Sequence, residues 1–315
     1  MRFLISVAAL TLLMVTAHAD DVLPEKLRQP IKQALQEREQ KLTSCRFKIE
    51  VTTESSPALI ARNLARSAAT RNVARRVEEF QRALTDKEAL KKLPPIRTQN
   101  RIVVRFAEGR YWTDKVGEEV VELDPVTIQE SRQVDSADGS STFDFRAGLR
   151  GLPYPIGFIR EQQVDHLPRQ FELLPVLAWF RPSEGIDQES LPLEQFSVDE
   201  DANVKDGILA FCTPSRASQV HFDPSRDYVV TSYIEGGRRN SVRSELNIEY
   251  EFDQQYSVWV PVKWILRNFD EGDPWLVSTY KVTAYEINPT FTEQDFQFTF
   301  PPGTEWRDER PVFVE

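Results

Sequence analysis

The feature that most constrains the fold is a two-residue alternation of apolar and polar side chains between Ser241 and Phe252. The even positions of this run are apolar except for Ser244, and the odd positions are polar throughout. Such an alternation is typical of a β-strand that buries one face and exposes the other. Short turn-like stretches link it to further strand-like runs between Asp227 and Pro302. The sequence therefore predicts a meander of antiparallel strands whose even-numbered apolar face is the inner surface.

Two further elements are predicted near the N-terminus. Residues 45–53 show the same alternation, which predicts another strand with one buried face. Residues 21–43 carry apolar side chains at three- and four-residue spacing, which indicates an amphipathic helix. Pro30 lies early in this helix and is expected to set its first turn apart.

The middle of the chain has a different character. Residues 57–93 contain no glycine and are rich in Ala, Leu and Arg, which favours a helical insertion. Residues 147–184 are apolar in part and are expected to form short helical pieces divided by Pro168 and Pro175.

One later run is apolar on both faces. Between Val258 and Leu266 apolar residues occupy both parities, and the run contains Trp259, Pro261 and Trp264. A strand of this kind is expected to be covered on both sides, and a proline within a strand indicates an edge or a bulge. Two architectures satisfy the pattern: a strongly curved sheet wrapped round a helix, and a barrel with an internal cavity.

Residues 1–19 have the pattern of a secretory signal peptide. Arg2 precedes a short apolar run, and Ala17 and Ala19 form an A-x-A cleavage site. We expect an exported protein, periplasmic or extracellular and soluble after cleavage, in which residues 20–315 form a single domain. The formal charge is −10. An acidic chain of this kind argues against nucleic-acid binding, because phosphates attract basic surfaces.

Motifs for catalysis are weak. The sequence contains no phosphate-binding glycine loop, nucleophile elbow or HExxH motif, so we predict no cofactor. Beyond residue 19 the histidines are His166 and His221, and neither lies at ligand spacing from a cysteine, so no metal site is predicted. His221 is the best general-base candidate, because Asp223 and Ser225 follow it closely. The same stretch reads as an ordinary turn, DPSR, so a hydrolase is the minor alternative to a protein without catalytic activity.

The two cysteines, Cys45 and Cys212, both lie in strand-like runs. In an oxidising compartment they could form a disulfide, which would add roughly 4–5 kcal/mol in the chain-entropy model. Two separate buried thiols are the alternative, and the sequence gives no distance that decides between them.

The helical insertion carries five arginines in an otherwise acidic chain: Arg62, Arg66, Arg71, Arg75 and Arg76. One interpretation is a contact with anionic lipid or with an envelope protein. The other, which we favour, is a solvated helix face packed over the sheet.

Three short motifs in the C-terminal half resemble the LolA/LolB-like superfamily of lipoprotein-localisation carriers. They are the turn DPSRDY at Asp223–Tyr228, W-x-P at Trp259–Pro261 and F-x-F-x-F-P-P-G at Phe296–Gly303. The resemblance extends in order from about Arg46 to Thr304. It implies an α+β fold in which a strongly curved antiparallel sheet forms a half-open β-barrel that cups helices. Carriers of this family hold acyl chains on the apolar concave face and ferry lipoproteins across the periplasm.

Two functions follow from these expectations. The first is an exported, non-enzymatic protein that binds a hydrophobic ligand on the concave face, either an acyl chain or a lipoprotein. The apolar patch from Leu173 to Phe180 would be its lid. The second is a structural or interaction protein of the cell envelope, in which that patch is a helix that fills the barrel. The residues predicted to line a cavity are Leu173, Leu177, Trp179, Phe180, Leu246, Ile248, Tyr250 and Trp264.

Overall fold

The computed structural model describes residues 25–57, 94–107, 110–123, 126–138, 141–148, 154–161, 171–177, 197–199, 207–213, 218–236, 242–270 and 272–310. Several predictions fall outside these ranges. They concern the signal peptide at residues 1–19, the helical insertion with its five arginines, and the side chains of Trp179 and Phe180.

A single long helix, α1 (Glu25–Lys41), precedes the sheet in the described chain. Ile31 and Leu35 are buried, which confirms the predicted apolar stripe. Pro30 lies inside α1, so the prediction of a separate first turn is wrong. A proline this near the start removes only one backbone hydrogen bond, and the helix continues through it. None of the described helices is long and apolar enough to cross a lipid bilayer.

The described strands form one sheet. In chain order they are β1 (Ser44–Ser55), β2 (Ile96–Ala107), β3 (Arg110–Leu123), β4 (Val126–Ala137), β5 (Ser141–Ala147), β6 (Ile156–Glu161), β7 (Ser197–Val198), β8 (Leu209–Cys212), β9 (Ser218–Asp223), β10 (Val229–Gly236), β11 (Val242–Asp253), β12 (Val258–Asp270), β13 (Asp273–Ile287) and β14 (Glu305–Asp308).

The order of the strands shows that the sheet is open. It runs β14-β6-β5-β4-β3-β2-β1-β13-β12-β11-β10-β9-β8-β7, so β14 and β7 are its two edges. Neighbouring strands are antiparallel except at one edge, where β14 pairs with β6 in parallel. Most neighbours in the sheet are also neighbours in sequence, as expected of a meander. The central exception is β1, which pairs with both β2 and β13 and so joins the two ends of the chain.

The face of the sheet that carries α1, here called the concave face, holds the main core. On β1 it presents Phe47, Ile49 and Val51, which are no more than 3% exposed. These residues lie beside Val104 and Ile102 of β2 in the antiparallel register. The core continues from α1 across β8 to β13 as one cluster of buried side chains. The predicted alternation of β1 is therefore confirmed.

In β11 the alternation is confirmed over most of the strand. Its buried positions are Ser244, Leu246, Ile248 and Tyr250. Phe252 was expected on the same inner face, but it is 45% exposed. The register between β11 and β12 shifts after Glu249, and beyond this shift Phe252 packs against Trp259 with ring centroids 5.1 Å apart. Pro261 lies at the shift and in a central strand, which confirms a bulge and excludes an edge.

A short segment, residues 171–177, packs against the concave face and is here called the plug. It consists of a 3-10 turn (Phe171–Leu173) and a single-turn helix, α2 (Leu174–Leu177). The carbonyl of Glu172 accepts a hydrogen bond of 2.8 Å from Trp264 Nε1 on β12, and its carboxylate lies 3.9 Å from Lys115 Nζ on β3. Four strand spacings separate β12 from β3, roughly 19 Å on a flat sheet. Because both side chains reach one residue, the sheet curves round the plug.

The opposite, convex face is crossed by the C-terminal segment Pro289–Thr304, here called the strap. Its hinge is Asn288, which has a left-handed φ of 55°. The Asn288 side chain accepts a hydrogen bond from Thr43 N at 2.8 Å and donates one of 2.8 Å to Lys41 O. The start of the strap is thereby tied to the junction between α1 and β1.

The aromatic side chains of the strap pack on one strand after another. Phe291 lies under the guanidinium of Arg46 on β1, 5.3 Å from its ring centroid. Phe298 contacts Trp112 of β3 and Phe145 of β5, with ring centroids 5.6 and 5.2 Å apart. Phe300 then lies over Gly157 of β6. The F-x-F-x-F motif is therefore the element that carries the chain across the convex face to the edge occupied by β14.

Some predicted elements need correction. Residues 147–184 were expected to form helical pieces, but 156–161 form β6, since Gly157 and its neighbours pack beneath the strap. The chain from Arg110 to Leu123 forms one continuous strand, β3, and β4 extends to Ala137.

Cys45 and Cys212 are both buried thiols, so the disulfide considered above is not formed. Cys45 lies on β1 and Cys212 on β8, with β13, β12, β11, β10 and β9 between them in the sheet. The structure therefore supports the second of the two alternatives.

Candidate functional site

The candidate site is the contact between the plug and the concave face. Leu173 and Val176 of the plug are fully buried there, as is Trp264 beneath them. The indole of Trp264 stacks on Tyr280 with a centroid distance of 5.1 Å and an interplanar angle of 6°. This pair of rings forms a flat apolar floor, and the hydrogen bond from the indole to the Glu172 carbonyl orients the plug above it.

Burial determines the electrostatics of this floor. Desolvation raises the pKa of Tyr280 well above its usual value, and the nearby Glu172 carboxylate raises it further. The phenol therefore stays neutral, and its ring behaves as part of an apolar wall. Chemically, the site is suited to burying hydrocarbon.

The structure brings together most of the predicted lining residues that it describes. Leu173, Leu246, Ile248, Tyr250 and Trp264 all belong to the single core cluster around α1 and the plug. Ile248 lies directly beside Trp264 across β11 and β12, and the Tyr250 hydroxyl donates a hydrogen bond of 2.9 Å to Val230 O. Leu177 ends α2. These residues are buried by the protein's own side chains, so a ligand could reach them only if part of that packing moved.

One functional candidate was missed in the sequence. Arg38 is 5% exposed although it carries a charge, and its Nη2 donates a hydrogen bond of 2.6 Å to Asp227 O. Burial lowers the pKa of Arg38, while Tyr250 and Asp227 raise it. The signal that could have found it is its spacing, because Arg38 follows Ile31 and Leu35 along the same helical stripe.

The concave face becomes polar over β3, β4 and β5. There the register places Lys115 beside Gln133, and Asp135 beside Asp144. Arg146 forms two hydrogen bonds with the Asp144 carboxylate, of 2.9 and 3.0 Å. A polar surface of this kind is poor at burying hydrocarbon. Apart from Tyr111 of β3 and Ala137 of β4, which belong to the core cluster, the apolar part of the concave face therefore lies on the side that α1 and the plug cover.

The residues considered for hydrolysis do not form a catalytic arrangement. The Asp223 carboxylate accepts hydrogen bonds of 2.9 and 2.6 Å from the backbone N–H and the hydroxyl of Ser225, and it forms an ion pair of 3.2 Å with Arg226. These contacts stabilise the turn. His221 alternates along β9 with the core residues Val220 and Phe222 and so faces away from the core. Burial lowers the pKa of His221, although Asp199 raises it. Within the described ranges no group of three or more metal-ligating side chains is placed to hold an ion.

No protein-family model matches the chain, and no curated protein matches it. The structure is similar to a domain from Vibrio parahaemolyticus named for outer-membrane lipoprotein sorting, at 11% identity and a TM-score of 0.41, over 84% of this chain and 94% of that one. It is also similar to a LolA superfamily protein from Nitrosomonas europaea, at 9% identity and a TM-score of 0.39, over 84% of this chain and 97% of that one. A DUF1329 family protein from Desulfovibrio piger is similar at 8% identity and a TM-score of 0.38, over 85% and 97%. At these identities the likeness is one of general fold alone.

Proposed function

We propose that this protein binds a hydrophobic ligand, an acyl chain or the acyl chains of a lipoprotein, on the concave face by exchange with the plug. The observation that carries the proposal is the nature of what fills that face. The plug is a turn and one helical turn rather than a strand or a long helix. Its buried side chains, Leu173, Pro175 and Val176, are hydrocarbon and resemble the ligand that would replace them.

The magnitudes favour such an exchange. Exposing Leu173 and Val176 costs about 1.5–3 kcal/mol each, and exposing the buried ring of Pro175 adds to this cost. An acyl chain of about twelve methylenes gains roughly 10 kcal/mol on burial, at about 0.8 kcal/mol for each methylene. The surplus offsets part of the cost of immobilising the ligand. The hydrogen bond from Trp264 to Glu172 and the 3.9 Å contact between Lys115 and the Glu172 carboxylate add modestly to the free energy needed to displace the plug.

A second function is supported by the same packing. If the plug never leaves, the chain is a structural or interaction protein of the cell envelope with a self-filled barrel. The observation in its favour is that Leu173 and Trp264 are both fully buried and belong to the same core cluster. The two functions differ in whether the plug can be exchanged, and this difference can be measured.

The test is displacement of a fluorescent long-chain fatty acid from the wild type and from Leu173→Ala. Truncation of Leu173 weakens the plug by about 2 kcal/mol or more, so the fraction of open molecules rises. The apparent affinity then rises by about 10–30-fold, because it is proportional to the fraction of molecules in which the plug is open. Val134→Ala is the matched control, since Val134 is also fully buried but lies on β4, beside Phe145 on the convex face. It should lower stability and leave the affinity unchanged.

Two results would contradict the proposal. One is the absence of binding by both proteins at micromolar concentration, which would favour the self-filled barrel. The other is an equal change in affinity for Leu173→Ala and Val134→Ala, which would indicate general loosening of the core and not release of the plug.

Export and the single-domain organisation are part of the same proposal. One continuous sheet and one main core cluster support a single half-barrel domain over residues 20–315. A periplasmic or extracellular location rests on the signal-like residues 1–19. A contact of Arg62, Arg66, Arg71, Arg75 and Arg76 with anionic lipid or an envelope protein rests on their charge alone.

A further inference from the structure

The ends of β3 and β4 leave the sheet as a two-stranded ribbon. β3 pairs with β2 only as far as Gly117, and β4 pairs with β5 only as far as Arg132. Beyond these residues, and as far as the described parts of the chain show, the two strands pair only with each other, up to Leu123 and Val126. An isolated two-stranded hairpin is marginally stable in water, so this ribbon needs a surface to pack against.

The base of the ribbon is held by close backbone contacts. A side chain at Gly117 would overlap Asn100 and the Gln99 carbonyl, and one at Gly148 would overlap the Glu130 carbonyl. Gly148 also has a left-handed φ of 65°, which favours glycine. The direction in which the ribbon leaves the sheet is therefore set by the fold.

One face of the ribbon mixes apolar and acidic side chains. Val116, Glu118 and Val120 of β3 share the convex side with Ile128 and Glu130 of β4, because paired residues lie on the same face. Val116 is 38% exposed and Ile128 is 44% exposed. These five residues are here called the ribbon patch.

The ribbon has a charge that its own residues do not balance. Residues 118–130 contain five carboxylates and no lysine or arginine. Glu118 lies directly opposite Glu130, and like charges in this position destabilise strand pairing. Arg132 follows closely, but it is engaged by Asp114 in hydrogen bonds of 3.0 and 2.8 Å. A basic partner with an apolar stripe would relieve the repulsion and cover the exposed apolar groups.

We propose that the ribbon patch is the docking surface for the arginine-rich segment 58–77 of the same chain. This segment has five arginines and no acidic residue, with Ile60 and Leu64, and again Val73 and Val77, four residues apart. That pattern is typical of a basic amphipathic helix, and it complements the ribbon patch in both charge and apolar content.

The topology favours this segment over a free partner. The segment leaves the sheet after Ser55 and the chain returns at Ile96, and these two residues pair with each other. They lie at the end of the sheet from which the ribbon projects, and β2 alone separates β1 from β3. Strands are spaced about 5 Å apart, so the tether is short and the effective concentration reaches the millimolar range.

Hydrogen–deuterium exchange of the full chain, followed by mass spectrometry of peptides from 58–77, tests the contact. The double variant Glu118→Arg/Glu130→Arg should raise the exchange rate of these peptides about tenfold or more. The matched control is Glu251→Arg/Glu293→Arg, because both carboxylates are exposed and lie outside the ribbon. It should leave the exchange unchanged. Adding Arg66→Glu/Arg71→Glu to the ribbon variant should restore protection, which a ribbon that had only unfolded would not allow.

Three results would overturn the proposal. The first is identical exchange of 58–77 in the wild type and in Glu118→Arg/Glu130→Arg. The second is a failure of the charge swap to restore protection. The third is protection of 58–77 that disappears on dilution together with self-association in sedimentation, because the ribbon would then be covered by a second copy of the chain.

Discussion

At Gly157 on β6 the absence of a side chain allows the strap to reach the edge of the sheet. A methyl group there would overlap the ring of Phe300, and Phe300 in turn stacks on Trp306 of β14 with centroids 6.0 Å apart. We expect Gly157→Ala to lower the free energy of unfolding by about 1–3 kcal/mol, the usual cost of overpacking, as measured by urea denaturation. In a protein that already carries Phe300→Ala, Gly157→Ala should lower the free energy of unfolding by less than it does in the wild type, because the ring it would overlap is gone. An equal additional loss in both backgrounds would show that Phe300 is not the obstacle.

At the scale of elements, the strap binds the two ends of the chain together. It starts at the junction of α1 and β1 and ends beside β6. Phe298 is half-buried between Trp112 and Phe145. We expect Phe298→Ala to destabilise the protein by about 2 kcal/mol, less than the 3–5 kcal/mol of a fully buried phenylalanine. Phe252→Ala is the matched control in the same urea titration, because Phe252 is 45% exposed and should cost less than about 1 kcal/mol. Equal losses would mean that the strap adds little to stability.

At the scale of the whole molecule, the buried phenols set an alkaline limit to stability. Burial raises the pKa of Tyr250 and Tyr280 above the value of about 10 that they have when unfolded. Their contribution is fully present below pH ~10 and is lost as the pH rises further, because the unfolded chain then releases protons that the folded chain keeps. Each group should cost about 1.4 kcal/mol for each pH unit above 10. Urea midpoints at pH 8 to 11 measure the slope. Tyr280→Phe should reduce the loss of stability per pH unit by the contribution of one phenol, about 1.4 kcal/mol. An unchanged pH dependence would contradict the assignment.

Much of the fold could be predicted because local periodicity reports directly on burial. The alternation in β1 and β11 and the stripe of α1 each identify the buried face of one element, and an open antiparallel sheet around a helix follows from them. Leu173 and Trp264, both predicted from the sequence to line a cavity, belong to one core cluster, and their contact with a ligand stays a prediction. Arg38 was missed, because a charge within an apolar stripe is normally read as the edge of the stripe.

By itself, the sequence determined which side of each strand and helix is apolar, because that pattern is written in neighbouring residues and needs no partner. Only the tertiary structure decided which elements those faces meet. It placed the plug in the concave face, carried Phe298 and Phe300 across the convex face, and added β14 to β6 in parallel. It also placed Cys45 and Cys212 on strands far apart in the sheet. These outcomes depend on contacts between residues distant in sequence, and their energies depend on how well the surfaces fit when the whole chain is compact.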